Sequence, residues 1–100
     1  MPARVAILHD EAGRDYDAAF EWYLEQSADA VVRLDAPVQR AMDEIGAAPQ
    51  RWVRWPYDTR RFLLRGSPYL LIYRELSQDV VQVLALAHTS RRPGYWRERV

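Results

Sequence analysis

The sequence contains neither cysteine nor lysine, and each absence excludes a class of site. Without cysteine, the chain can form neither disulfides nor thiolate zinc sites, so its stability must come from packing. All 14 basic residues are arginine, which carries a permanent charge and a planar fork suited to phosphate or carboxylate but cannot act as a proton-transfer lysine. The basic residues therefore indicate anion binding more firmly than catalysis.

Long apolar runs are also missing. The longest are about strand length, and none near the N-terminus has the length of a signal peptide. We therefore expect a soluble, cytoplasmic protein that does not associate with a membrane, and the lack of cysteine suits a reducing cytoplasm. Because the chain has 100 residues and is 49% apolar, we expect residues 1–100 to form one domain around a single core.

The net charge of zero conceals a division of charge along the chain. Residues 1–50 contain 4 arginines and 10 acidic residues, whereas residues 51–100 contain 10 arginines and 4 acidic residues. A strongly basic half beside an apolar sheet face predicts a groove that an acidic segment of a partner protein would cover.

The acidic half is predicted to hold a short strand over residues 4–8 and two helices. Asp10 stands where a helix N-cap is expected. The first helix should run from Glu11 to about Gln26, with Asp15 directed outward and a buried stripe formed by Ala12, Tyr16, Ala19, Phe20, Tyr23 and Leu24. Ser27 is expected to cap a second helix that reaches Ile45 through a stripe beginning at Val31. Pro37 predicts a kink or a break in that helix near Asp35.

The basic half is predicted to form three strands. Residues 50–58 mix arginines with aromatics without helical periodicity, which indicates a loop lying over the sheet. The strands Arg60–Arg65, Tyr69–Leu76 and Val80–His88 are separated by segments of hairpin length and should form an antiparallel meander. The predicted fold class is therefore α+β, with the order β-α-α-β-β-β and a helical hairpin packed on an antiparallel sheet.

Candidate functional residues follow the last predicted strand. His88 could act as a general acid or base, or it could be a hydrogen-bonded structural residue. Four arginines could converge at the rim of that strand as a phosphate clamp, or could instead pair with carboxylates: Arg60, Arg61, Arg91 and Arg92. Tyr95 could stack on a base or pack on the fold, and we expect Trp96 to be buried against the sheet.

Other templates find no match. The sequence has no glycine-rich phosphate loop, and His9-Asp10-Glu11 has no further ligands at the spacing of a metal site. No metal and no cofactor is implied. The chain does not match a helix-turn-helix DNA-binding domain, because the predicted helices of this chain are acidic. We expect Arg97–Val100 to be solvated, since termini with alternating charges usually are.

Two stretches resemble one known family. His88, Arg91, Pro93, Tyr95 and Trp96 stand in the order His-x-x-Arg-x-Pro-x-Tyr-Trp, which is similar to the C-terminal signature of the RelE/ParE superfamily. The stretch from Arg61 through Ser67-Pro68-Tyr69 to Tyr73 is similar to the family's Arg…Phe-Pro-Tyr-x-x-x-Tyr, with Ser67 in place of phenylalanine. The order of predicted elements also agrees with this family, whose members are toxins of bacterial type II toxin-antitoxin (plasmid stabilisation) modules.

The resemblance implies a toxin that arrests bacterial growth and forms a hetero-oligomer with an acidic antitoxin. ParE-like members inhibit DNA gyrase without catalytic residues, and the Arg-x-Pro-x-Tyr-Trp ending resembles that side, with Arg60, Arg61, Arg91, Arg92 and Tyr95 binding the target. RelE-like members are metal-independent endoribonucleases that cut mRNA on the ribosome. On that alternative, Arg61 and Arg91 would hold the phosphate, His88 would donate a proton and Tyr95 would orient the substrate. A non-toxic structural or adaptor domain is the third alternative.

Overall fold

The order of the strands differs from their order in the chain. The computed structural model describes residues 4–100, without the side chains of residues 30–33. Its elements are β1 (Val5–Leu8), α1 (Asp10–Gln26), α2 (Ala28–Ala47), β2 (Val53–Trp55), β3 (Thr59–Leu63), β4 (Tyr69–Glu75), β5 (Val80–His88) and a 3-10 turn (Arg97–Arg99). They form one five-stranded sheet in the order β1-β5-β4-β3-β2, so the first strand lies beside the last.

The predicted α+β class is confirmed, and β3, β4 and β5 form the predicted antiparallel meander. The sheet is mixed rather than wholly antiparallel, because β1 pairs with β5 in parallel, Val5 opposite Val80. The long connection between these strands contains both helices, which pack chiefly on β5 and β1. A crossover of this kind is what allows two parallel strands to be neighbours.

The prediction that residues 50–58 form only a loop is wrong, because β2 lies within them. Val53–Trp55 pairs antiparallel with β3, Val53 opposite Arg61 and Trp55 opposite Thr59. The chain reverses between these strands through Tyr57 and Asp58, whose φ angles are 64° and 58°. Non-glycine residues seldom adopt positive φ, so this hairpin leaves no clear signature in the sequence.

The start of α1 differs from prediction, and the break that was one of two expectations for Pro37 in α2 does not occur. The N-cap of α1 is His9 rather than Asp10: the imidazole Nδ1 accepts a hydrogen bond from the Glu11 N–H at 3.0 Å. Asp10 becomes the first residue of the helix, where its negative charge interacts favourably with the helix dipole. The α2 helix runs through Pro37 without a break. The hydrogen bond lost at Pro37 is offset by burial of the apolar face of α2, which contains Leu34, Val38, Ala41 and Ile45.

The sheet has an apolar core on each face. The helix side packs α1 and α2 against a set of sheet residues that includes Leu71, Tyr73, Val81, Val83 and Leu86. The opposite face, here called the tail side, is covered by the segment after β5, and its core contains Leu70, Ile72, Leu84, Ala85, Ala87 and Trp96. Trp96 is 2% exposed, which confirms its expected burial. Leu24, predicted to be buried, is 52% exposed, and Val31 lies outside the described side chains.

Candidate functional site

His88 lies at the end of β5 on the helix side of the sheet. It pairs with Tyr69 of β4, and the two rings meet edge to face with their centroids 5.4 Å apart. Tyr69 in turn packs against Tyr23 of α1, with ring centroids 6.1 Å apart. The His88 Nδ1 accepts the Ser90 N–H at 3.1 Å and lies 2.8 Å from the Ser90 hydroxyl oxygen. Accepting at Nδ1 puts the proton of a neutral ring on Nε2.

Tyr95 lies on the tail side, between two arginines. The Arg91 Cζ is 4.0 Å from the Tyr95 ring centroid and the Arg99 Cζ is 5.3 Å from it, both within the range of cation–π attraction. Its ring meets Trp96 edge to face, with centroids 5.5 Å apart. Burial and the nearby Asp15 carboxylate raise the pKa of Tyr95, and the positive charges of Arg99 and Arg91 oppose this shift. The structure therefore brings Arg91 and Tyr95 together.

Arg60 and Arg61 point to opposite faces of the sheet, because they are successive residues of β3. Arg60 pairs with Tyr73 on the helix side and donates a hydrogen bond to the Trp52 carbonyl oxygen at 2.7 Å. Arg61 is opposite Ile72 on the tail side, and its Cζ lies 4.5 Å from the Trp55 ring centroid. The predicted convergence of four arginines on one rim is therefore wrong for Arg60.

Arg92 is exposed. Among the side chains that the structure describes, the ion pairs are Arg4 with Glu75, Arg14 with Glu11, and Arg99 with Asp15. The four arginines of the predicted clamp thus have no carboxylate partner among the described residues. Of the four, Arg91 and Arg92 are exposed and can therefore meet an external anion or an acidic protein.

Asp15 and Arg99 form a connection that the sequence did not predict. Beyond Leu8 the edge of β5 has no strand partner, and these two side chains occupy it. Arg99 donates to the Leu84 carbonyl oxygen at 2.9 Å, and Asp15 Oδ2 accepts the Leu86 N–H at 3.2 Å. The pair is joined at 2.6 Å, with side chains 14% and 20% exposed for Arg99 and Asp15. Asp15 is therefore not directed outward, and the expected solvation of Arg97–Val100 is wrong at Arg99.

Gly94 fixes the turn between Arg91 and Tyr95 in the segment after β5. Its φ is 97°, and a Cβ at this position would lie 2.6 Å from the Tyr57 Cε2. The side chain of Tyr57, in the β2–β3 turn, therefore packs directly on the backbone of the tail. This contact connects the segment that carries Tyr95 with the turn between β2 and β3.

No group of three or more histidine, aspartate or glutamate residues that could hold a metal occurs in the described part of the chain. In that same part, neither helix has the length and apolar character needed to cross a membrane.

Comparison with known proteins gives one family. A family model described as "ParE toxin of type II toxin-antitoxin system, parDE" matches residues 6–93. No curated protein matches the chain. The matched range runs from β1 to Pro93, so it includes His88 and Arg91 and ends before Tyr95.

Proposed function

This chain belongs to the ParE toxin family of type II toxin-antitoxin systems, and from that membership we propose that it arrests bacterial growth by binding DNA gyrase. We propose further that a cognate acidic antitoxin neutralises it by direct binding, and that both interactions take place in the cytoplasm. The two partners would use different parts of the surface.

The distance between His88 and Tyr95, which lie on different faces of the sheet, is the observation that favours gyrase binding over RNA cleavage. In RNA cleavage, the general acid and the residues that orient the substrate must reach the same phosphate. His88 packs on Tyr69 on the helix side, whereas Tyr95 packs on Trp96 on the tail side. The His88 Nδ1 is also engaged by Ser90. This arrangement favours a surface that binds a protein over one that cleaves a phosphodiester.

Arg91 is the residue we expect to contact gyrase most directly. Its guanidinium is held over the Tyr95 ring at 4.0 Å, while the residue as a whole is exposed, as are Arg92 and Pro93. An arginine held in place before binding loses less side-chain entropy when it meets a partner, and arginine is enriched among residues that dominate interface energies. Arg91 therefore combines exposure, charge and preorganisation.

The antitoxin is proposed to cover the edge formed by β2 and β3. Val53 and Leu63 are each 54% exposed there, and with Arg61 they line an indentation of about 290 Å³. An unpaired strand edge with exposed apolar residues is a site for strand addition. The opposite edge is also apolar, with Val5 62% exposed, but it adjoins the acidic α1. Charge complementarity with Arg61 and its neighbours therefore favours the β2–β3 edge for an acidic partner.

The gyrase proposal is tested by inducing expression in bacteria. We expect replication to stop and the DNA-damage response to begin while bulk mRNA stays intact, and the purified chain should inhibit supercoiling by gyrase. Arg91→Ala should abolish both effects without unfolding, and Arg40→Ala, a change at another exposed arginine, should retain them. Rapid codon-positioned cleavage of translated mRNA would instead establish an endoribonuclease, and normal growth would indicate a non-toxic domain.

The antitoxin proposal is tested by co-purification with the cognate antitoxin at high salt. Val53→Asp and Leu63→Asp should each release the antitoxin, because they place a carboxylate in an apolar contact with an acidic partner. Val5→Asp is the matched control, since Val5 is equally apolar and exposed but lies on the other edge. Retention of the antitoxin by both β2–β3 variants, with loss in the control, would place the interface on β1.

A further inference from the structure

We propose that a cleft at the β2–β3 turn binds a phosphate group, with Arg54 and Arg60 as its principal contacts. The cleft has a volume of about 610 Å³, within the range of small-molecule sites. Its lining includes Arg54, Trp55, Tyr57, Arg60 and Arg74. The proposal does not depend on gyrase or antitoxin binding.

Arg54 and Arg60 are directly opposite each other on β2 and β3. Directly opposed residues of antiparallel strands share a face, with Cβ atoms about 5 Å apart, and like charges in such a pair destabilise the sheet. Among the residues that the structure describes, no carboxylate forms an ion pair with either guanidinium. An anion bound between the two would relieve this repulsion.

The cleft as a whole is cationic. Arg74 also lines the cleft, but it follows Tyr73 in β4, so its side chain points to the tail side, where its Nε donates to the Gln82 Oε1 at 3.0 Å. Two carboxylates also line the cleft, those of Asp58 and Glu75. Glu75 is already paired with Arg4 at 2.7 Å. The guanidinium groups of Arg54 and Arg60 therefore share the cleft with the single uncompensated carboxylate of Asp58.

The turn beside the cleft is strained. Tyr57 and Asp58 have φ angles of 64° and 58°, a conformation that non-glycine residues rarely adopt and that costs about 1–3 kcal/mol per residue. Such outliers concentrate at binding sites. Tyr57 lines the cleft and is 50% exposed.

The number of arginines favours phosphate over a carboxylate ligand. A carboxylate has two oxygens and is matched by a single guanidinium fork, whereas a phosphate monoester has three acceptor oxygens that can be shared by several guanidiniums. The phosphate could belong to a free nucleotide or to a nucleic-acid backbone. Both present the same group.

The test is titration of the purified chain with inorganic phosphate at constant ionic strength, followed by calorimetry and by NMR shifts of the backbone amides. We expect saturable binding that is at least about tenfold weaker in Arg54→Gln, because one charge-assisted contact is lost. Arg40→Gln, the control, should bind as the wild type does. In phosphate-free buffer Arg54→Gln should melt at or slightly above the wild-type temperature, since it removes a like-charge contact.

Parallel titrations with a nucleoside monophosphate and with a single-stranded oligonucleotide of the same base distinguish the sources. Tighter binding of the oligonucleotide assigns the site to nucleic acid, and equal or tighter binding of the monophosphate assigns it to a free nucleotide. Absence of saturable phosphate binding, or binding by Arg54→Gln at wild-type strength, would overturn the proposal. Because no partner protein is used, either result is independent of the proposed toxin function.

Discussion

The pair of Asp15 and Arg99 gives the sharpest test of how the segment after β5 is attached. We predict that Asp15→Ala and Arg99→Ala each destabilise the protein substantially, although Arg99 lies in a segment that the sequence suggests is solvated. The structural reason is that this pair supplies hydrogen bonds to the edge of β5 at Leu84 and Leu86, where β1 has already ended.

The size of the effect follows from what each substitution leaves behind. Removing the Asp15 carboxylate leaves the Leu86 N–H without its acceptor and the guanidinium of Arg99, whose side chain is 14% exposed, without its charge partner. Hydrogen bonds to charged groups contribute about 1.5–3 kcal/mol, and breaking a fully buried ion pair costs about 3–5 kcal/mol. Because water still reaches both groups, we expect a loss of about 2–3 kcal/mol for Asp15→Ala and about 2 kcal/mol for Arg99→Ala.

Urea and thermal unfolding measure these losses. For a domain of this length, about 2 kcal/mol corresponds to a fall in Tm of about 8–16 °C. The double variant should be more stable than the sum of the two losses predicts, by about 1 kcal/mol, because the residues act on each other. Arg97→Ala, at an exposed arginine in the same segment, should stay within about 0.5 kcal/mol of wild type. Losses below that value for both Asp15→Ala and Arg99→Ala would refute the reasoning.

Three further predictions concern stability. Trp96→Ala should cost about 3–5 kcal/mol in urea unfolding, because the ring is fully buried on the tail side; a cost below about 1 kcal/mol would contradict this packing. Gly94→Ala should cost about 1–2 kcal/mol, because its φ of 97° disfavours a Cβ that would also meet Tyr57, and unchanged stability would show that the turn adapts. Burial, followed by the hydrogen bond to Asp35, raises the pKa of Tyr16 from 10.0 to about 12. Since the fold favours the neutral phenol, stability should fall as pH rises from about 10 towards 12. Tyrosinate absorbance should show a late ionisation that is missing from Tyr16→Phe, which assigns it to Tyr16.

The parts of the fold that the sequence predicted well are those with a strong local signal. The strand Val80–His88 has the same bounds in the structure, because a run of apolar residues is bounded by turn signals on both sides. The strand Val53–Trp55 was missed because three residues are too few to show alternation, and its turn uses non-glycine residues at positive φ.

The candidate site was harder to predict because it depends on contacts between distant residues. Asp15 and Arg99 are far apart in sequence, and helical periodicity alone places Asp15 outward; their pairing is decided by where β1 ends. By contrast, the placement of Arg60 and Arg61 on opposite faces of the sheet could have been predicted from the sequence. Successive residues of a strand alternate between faces, so a phosphate clamp that uses both side chains on one face required a bulge between them.

The pairing of β1 with β5 has a consequence for the order of events during synthesis. β1 is among the first segments to leave the ribosome, but its partner on the sheet spans Val80–His88. Until that strand emerges, Val5–Leu8 can form none of its native ladder, and α1, which packs mainly on β5, lacks its support. Contacts of such wide sequence separation make folding slow, because a long loop must close before they form. The sheet of this protein can therefore be completed only after most of the chain has been made.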